Sequence, residues 1–376
     1  MTSRSRVAQL IWALGLGGAE QVVIRLAAAL DRKRFDPLIV CLDEPGPFAT
    51  QAQEAGVEVT HLGKRGPVDV RVIGRLRRLL ADREVEVLHT HLWGADFWGR
   101  IAGRLAATPT IVTTAHNLDT WKSWYHFAFD RRLARWTTHL VSVSDQVRRF
   151  YEEHGVARGR WQVVRNGIDP SSSHPRGRGP ELRELGIDDR SPLVGLLGRL
   201  VPAKAPERFV EAIAVAREAV PGVRALVIGE GPLRAAVEAR VRQLGLENHV
   251  ILTGVRRDVP KLLAGLDVLA FSSLREGLSI AMLEAMSAGV PVVATRVGGT
   301  PELIDSDVNG VLVPPNDPEA LGRALIDLLT DPSRAEGLGG AGRDRVKAEF
   351  SMERMVETYE ALYSSNERSL AGAATA

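Results

Sequence analysis

Along this chain, short continuous apolar runs alternate with longer stretches in which apolar residues recur every third or fourth position. The runs Val7–Leu14, Pro37–Cys41, Val57–His61, Val85–His89, Thr110–Thr114 and His139–Val143 read as strands, and the periodic stretches between them read as helices. Continuous apolar runs belong to strands buried on both faces, so the pattern predicts a parallel sheet covered by helices on each side. Asp169–Pro180, DPSSSHPRGRGP, has no periodicity and is rich in Pro, Gly and Ser; it predicts a linker over 171–180. Strand patterns then resume at Leu193–Leu197, Ala225–Ile228, Val250–Leu252, Val268–Phe271 and Val292–Ala294. Helical patterns stand at Glu207–Glu218, Leu233–Leu244 and Pro318–Leu329. A last helix, Met352–Tyr363, follows a capping serine, Ser351, and fraying is expected from Ser364 onward. The chain therefore divides into 1–170 and 181–351 as two α/β domains, and their ligand loops are expected to face a common cleft.

Val268–Thr300 is the stretch richest in chemistry. A buried-strand pattern runs into a polar turn at Arg275–Gly277, a helical pattern over Ser279–Ala288, stops at Gly289 and Pro291, a second apolar run, and the turn Gly298-Gly299-Thr300. In open parallel sheets the loops after the strands hold the ligand, and helix starts favour negative charge. Glu276 and Glu284 bracket one such start. Two carboxylates beside a phosphate would repel it, so they suit hydroxyl groups, and a phosphate flanked by hydroxyl-bearing rings is a nucleotide sugar.

Composition narrows the classes. The 376 residues are ample for two or three domains with full cores, and the net charge of +2 gives no argument for nucleic acid. A single cysteine, Cys41, excludes an internal disulfide and fits a reducing compartment. No apolar run is long enough to span a bilayer. Arg4 and Arg6 before VAQLIWALGLGGA imitate a signal peptide, but glycines break that run and Glu20 leads into an amphipathic stretch, so a cytoplasmic protein is expected.

Glu276-Gly277-Leu278-Ser279 with Glu284 resembles the Glu-x7-Glu signature of the retaining family-four glycosyltransferases, and the flanking AGVPVVA and Gly298-Gly299 strengthen the match. That resemblance implies the GT-B fold, two Rossmann-like domains with parallel sheets facing a central cleft. In the family the last helix returns to the first domain, which implies that 352–376 joins 1–170. It also implies that Glu284 meets the ribose hydroxyls, Glu276 the transferred sugar, and the amides of Gly277, Leu278 and Ser279 the sugar and phosphate.

Gly198-Arg199-Leu200 with Lys204 ends a strand, where a guanidinium fork and an ammonium together neutralise a diphosphate. It resembles the family's Gly-Arg-Leu...Lys-Gly motif, with one departure: Ala205-Pro206 replaces the glycine after the lysine. Gly229-Glu230-Gly231-Pro232 is similar to the family's turn at the base and ribose, and the segment with Val255 to the one whose backbone meets the base. Gly17-Gly18-Ala19-Glu20 resembles the acceptor-side loop; from the residues alone it is an anion site or a close-approach turn. His116-Asn117 resembles the family's cleft histidine, which contacts the donor sugar or its leaving phosphate; His89 and His91 are read as structural.

No acid in the first domain stands out as a nucleophile. The resemblance implies same-face substitution, with Arg199, Lys204 and helix starts stabilising the leaving diphosphate. No Asp-x-Asp stands at a metal position, and neither a metal nor another cofactor is expected. Trp121-Lys122-Ser123-Trp124-Tyr125-His126-Phe127 with Arg131, Arg132, Arg135 and Trp136, and Arg75, Arg77 and Arg78 earlier, interleave aromatics with cations. They suit either an anionic membrane surface, hence a lipid-linked acceptor, or a core helix with a solvated basic face. The expected activity is retaining transfer from a nucleotide sugar, UDP before GDP-mannose, to a hydroxyl of a glycan, lipid-linked or small-molecule acceptor. A GT-B epimerase and a nucleotide-sugar-binding protein without turnover are the alternatives.

Overall fold

A computed structural model describes residues 4–66 and 68–365. They form two compact units, one built from the residues up to Asn166 together with those from Met352, the other from Gly167 to Ser351.

The first unit carries β1 (Ser5–Ile11), β2 (Phe35–Cys41), β3 (Glu58–His61), β4 (Val87–His91), β5 (Thr110–Ala115), β6 (His139–Ser142) and β7 (Trp161–Val163) in one parallel sheet of order β3-β2-β1-β4-β5-β6-β7. Successive residues of a strand point to opposite faces, and both faces are covered here. Leu10 and Leu38 pack with Leu76, Leu80 and Leu88 on one side, while Ile11 and Ile39 pack with Val23, Ile24 and Ala27 on the other. The unbroken apolar runs in the sequence are the record of that double burial.

The second unit carries β8 (Leu193–Leu197), β9 (Arg224–Ile228), β10 (Val250–Gly254), β11 (Val268–Phe271), β12 (Val292–Thr295) and β13 (Val311–Val313), in the order β10-β9-β8-β11-β12-β13, all parallel. Phe209, Val210 and Ile213 of the helix Pro206–Ala219 fill its core with Val194, Val227 and Leu325.

The structure adds elements that the apolar pattern does not predict, among them β7, β13 and the helix Pro332–Glu349. The two strands have three residues each, too few to show a period. The helix is obscured by four glycines, one of which has a packing reason: a Cβ on Gly339 would lie 2.2 Å from the Gly289 carbonyl oxygen. The expected linker is structured in part. Asp169 caps the turn Pro170–Ser172 by accepting from Ser171 N–H at 2.8 Å, and Gly177 N–H donates to Ala264 of the second unit at 3.0 Å. The helix Met352–Tyr363 packs on the first unit's sheet, where Tyr359 and Tyr363 reach the buried ends of β4 and β5. Ser364 and Ser365 are held by Arg34 and His139, contrary to fraying there; the rest of that expectation lies outside the described residues.

Candidate active site

In the second unit the chain winds from β8 outward through β9 to β10, then crosses to β11 on the other side of β8. The switch point therefore lies between β8 and β11, and a crevice opens there at their carboxyl ends. The loop after β8 carries Gly198, Arg199 and Lys204; the loop after β11 carries Glu276, Gly277, Leu278 and Ser279. Lys204 Nζ donates to Glu276 Oε1 at 2.6 Å, and Ser273 Oγ donates to the same oxygen at 2.6 Å. Glu276 is buried and Lys204 partly exposed. The charge argument placed these two groups on different parts of a ligand, whereas the fold pairs them directly. Arg199 is exposed, and its guanidinium meets no partner among the described residues.

Backbone contacts lock the two loops together. The N–H groups of Leu274 and Arg275 donate to Ala203 O at 2.8 and 3.3 Å, and Ser272 Oγ lies 3.0 and 2.9 Å from the carbonyl oxygens of Lys204 and Ala205. Ala205 has φ +44° and ψ 53°, the left-handed turn that a glycine would make freely. The departure from the family's motif thus keeps the turn, at about 1–2 kcal/mol for holding an L-residue there. Gly298 has φ +52°, and a Cβ on it would fall 1.8 Å from Glu276 O; only glycine lets the loop after β12 lie against the glutamate's own backbone.

Ser279 caps the helix Ile280–Ser287 by accepting from Met282 N–H at 3.4 Å. Glu284, the fifth residue of that helix, is half-buried and engaged with a neighbour. At the ends of β9 and β10, Gly229 N–H donates to Gly254 O at 3.0 Å and Leu200 N–H to Glu230 O at 3.0 Å. A Cβ on Gly229 would lie 2.0 Å from Gly198 O, and one on Gly231 2.5 Å from Leu200 O. The segments holding Gly198, Gly229, Gly231 and the exposed Val255 are therefore knitted into one rim, with side chains too small to block a ring.

Gly17, Gly18 and His116 belong to the first unit. Gly17 caps the helix Gly18–Ala29, and a Cβ on it would fall 2.2 Å from Glu20 Oε2. The Glu20 carboxylate folds back over this helix start, where its charge opposes a second anion.

His116 follows β5 and is buried, with Nε2 3.0 Å from His91 Nδ1. His91 Nε2 lies 2.7 Å from Gln9 Oε1, and Gln9 Nε2 donates to Tyr363 OH at 3.0 Å. Tyr363 OH lies 2.6 Å from His89 Nδ1, and His89 Nε2 lies 2.7 Å from Thr114 Oγ1, which meets Tyr359 OH at 3.0 Å. Burial pulls all three histidines below their ordinary 6.5, His116 to about 4, and His89 and His91 are lowered further by the neighbouring imidazoles. Leu92, immediately after His91, has φ +67°, an outlier for a bulky residue at the end of a strand. The sequence does carry a signal for this polar core: Gln9, His89, His91 and Thr114 interrupt the apolar runs of three strands.

The aromatic stretch divides by face. Lys122, His126 and Asp130 point inward; Lys122 Nζ donates to Asp130 at 2.9 Å and to Tyr151 OH at 3.0 Å, and Arg100 pairs with the other Asp130 oxygen at 2.9 Å. Lys122 therefore belongs to the core and not to a cationic surface. Trp121, Trp124, Tyr125, Phe129, Arg131, Arg132 and Arg135 are exposed. Among the described residues no helix is long and apolar enough to cross a membrane.

Residues 178–345 match the family described as Glycosyl transferases group 1, and residues 16–172 match Glycosyltransferase Family 4. The chain is 26% identical to the UDP-Gal:alpha-D-GlcNAc-diphosphoundecaprenol alpha-1,3-galactosyltransferase of Escherichia coli, covering 93% of this chain and 94% of that one. It is 30% identical to the alpha-maltose-1-phosphate synthase of Mycolicibacterium smegmatis, covering 92% and 95%. The crystal structure of Anabaena HepE with UDP and glucose superposes with a TM-score of 0.87 at 23% identity, over 96% of this chain and all of that one. Two units of parallel sheet with interleaved helices, a lysine–glutamate pair at the switch point of the second, and full-length relatives of one kind agree: this chain is a glycosyltransferase with the GT-B fold and belongs to the group 1 glycosyl transferases, of the family-four type.

Proposed function

We propose that the protein moves a sugar with retention from a nucleotide-sugar donor, UDP-sugar before GDP-mannose, to a hydroxyl of a glycan, lipid-linked or small-molecule acceptor. The observation that carries the donor side is the Lys204–Glu276 pair across the β8/β11 switch point, beside the exposed Arg199. Arg199 and Lys204 hold the donor diphosphate, and a preorganised donor of this kind stabilises the departing charge by about 3 kcal/mol. Glu276 meets the transferred sugar and Glu284 the ribose, with Gly277, Leu278 and Ser279 lending their amides. Gly198, Gly229, Gly231 and Val255 form the rim at the base and ribose end; Gly17 and Gly18 serve the acceptor side, and His116 contacts the donor sugar or its leaving phosphate. The cations take the role of a metal ion, so chelators leave turnover intact. The E. coli relative, named for UDP-Gal and a lipid diphosphate, supports a UDP donor and a lipid-linked acceptor.

Thermal unfolding with UDP, GDP, ADP and dTDP tests the donor site. A nucleotide at a hundred times its Kd adds about 2.7 kcal/mol, a shift of several degrees. The shift is expected with UDP and is expected to vanish in Arg199→Ala; equal behaviour of wild type and variant removes the phosphate assignment. NMR of the product's anomeric proton, read against the donor's, decides retention. Trp124, Tyr125 and Phe129 beside Arg131 and Arg132 are assigned to peripheral contact with an anionic membrane. Co-sedimentation with phosphatidylglycerol vesicles is expected to be lost in Trp124→Ser/Phe129→Ser.

A further inference from the structure

We infer that Gln9 and His91 are positioning residues that fix the tautomer of His116, so that its Nδ1 is an unprotonated hydrogen-bond acceptor. The inference rests on the reading above that His116 meets the donor sugar or its leaving phosphate, and extends it to which atom does so and what holds it.

Each contact along one buried chain carries a single proton. Gln9 Oε1 carries none, so at 2.7 Å His91 Nε2 must donate to it. A buried neutral imidazole has one N–H, so His91 Nδ1 accepts, and the donor at 3.0 Å is His116 Nε2. His116, neutral for the same reason, is then bare at Nδ1. That atom has no hydrogen-bond partner among the described residues, yet it is not one of the sealed polar atoms lacking a partner; it is the nitrogen left to meet a ligand. With the Gln9 amide placed so that Nε2 donates to Tyr363 OH, that hydroxyl is left to donate to His89 Nδ1, and His89 Nε2–H to Thr114. The orientation of the Gln9 amide between Tyr363 and His91 is therefore what His116 depends on. A reversed amide would reverse every bond and put the proton on His116 Nδ1. An acceptor nitrogen takes a hydroxyl and not a fully ionised phosphate, so of the two contacts open to His116 the relay selects a sugar hydroxyl.

The test is nitrogen-15 NMR of histidine-labelled protein at about pH 7.5, with the His116 signals identified by their loss in His116→Gln. The expected result is a protonated Nε2 and a pyridine-like Nδ1 in the wild type. In Gln9→Met, and more mildly in Tyr363→Phe, which frees the amide to turn, Nδ1–H is expected to gain population. Sugar transfer should then fall at least about tenfold, while the thermal shift with UDP is retained. A wild-type His116 protonated at Nδ1, or a tautomer that ignores both substitutions, overturns the inference, and the wild-type spectrum decides even if a variant fails to fold. A tautomer that follows Gln9 while His116→Ala transfers sugar at the wild-type rate would uphold the relay and overturn His116 as a sugar contact.

Discussion

Acid should unfold the first unit by protonating histidines that folding keeps neutral, and His89→Gln should remove about half of that sensitivity. A histidine whose folded pKa is depressed costs nothing above pH 6.5, because both states are then neutral. As pH falls below 6.5 the unfolded chain takes up a proton that the folded one refuses, so stability is lost until the folded pKa is reached. At pH 5.5 an unfolded histidine is about nine-tenths protonated. His89 and His91, held well below 6.5 by burial, resist protonation there, as does His116 with its pKa of about 4. The unfolded unit therefore binds more protons than the folded one, up to about three from these histidines. Asp96 works in the opposite direction: burial raises it from 3.8 to about 7, so the folded state alone holds its proton. The net uptake is up to about two protons, on the order of 2 kcal/mol per pH unit, with half-buried His139 adding in the same direction. Removing His89 takes away up to about one of those protons, roughly half of the slope. All seven tryptophans, Trp12 to Trp161, lie in this unit, so their fluorescence reports its unfolding apart from the other's. Urea midpoints at five pH values between about 7.5 and 5, for wild type and His89→Gln, give the two slopes. Equal slopes, or stability that stays level across the range, would refute the reasoning.

Ala205→Gly should stabilise the second unit. It relieves about 1–2 kcal/mol of left-handed backbone cost and returns about 0.4–1 kcal/mol of unfolded-chain entropy, a net gain that calorimetry can resolve. Gly298→Ala should cost the second unit several kcal/mol and abolish transfer, because a methyl group 1.8 Å from Glu276 O must displace the loop that holds the Lys204 pair; a variant with unaltered melting would show that the turn is not held there. Cys41, the last residue of β2, is sealed in the core and burial pushes its thiol up to about 12, so Ellman's reagent at about pH 8 should label it only as fast as the first unit opens. Rapid labelling of native protein would contradict that burial.

Much of the fold was legible because buried parallel strands must be apolar on both faces: Leu193–Leu197, Val268–Phe271 and the helix Met352–Tyr363 have in the structure the bounds their pattern predicts. What lacked a period could not be read, and β7, β13 and the glycine-rich helix Pro332–Glu349 were missed for that reason. In the candidate site, the types of residue were legible and their partners were not. Glu276, Lys204, Gly198 and Gly298 stand out by motif, but motif spacing says nothing of which carboxylate meets which ammonium. That pairing depends on β11 crossing to lie beside β8, a choice made by the packing of the whole sheet. Gln9, His91, His116 and Tyr363 are scattered over the length of the chain, and each alone is an unremarkable polar residue. By itself the sequence determined the architecture and the chemical repertoire, because burial and backbone geometry are local demands on residue type. Which groups share protons and charge was decided by the tertiary structure alone, because hydrogen bonds and ion pairs act over a few ångströms between residues that only folding brings together.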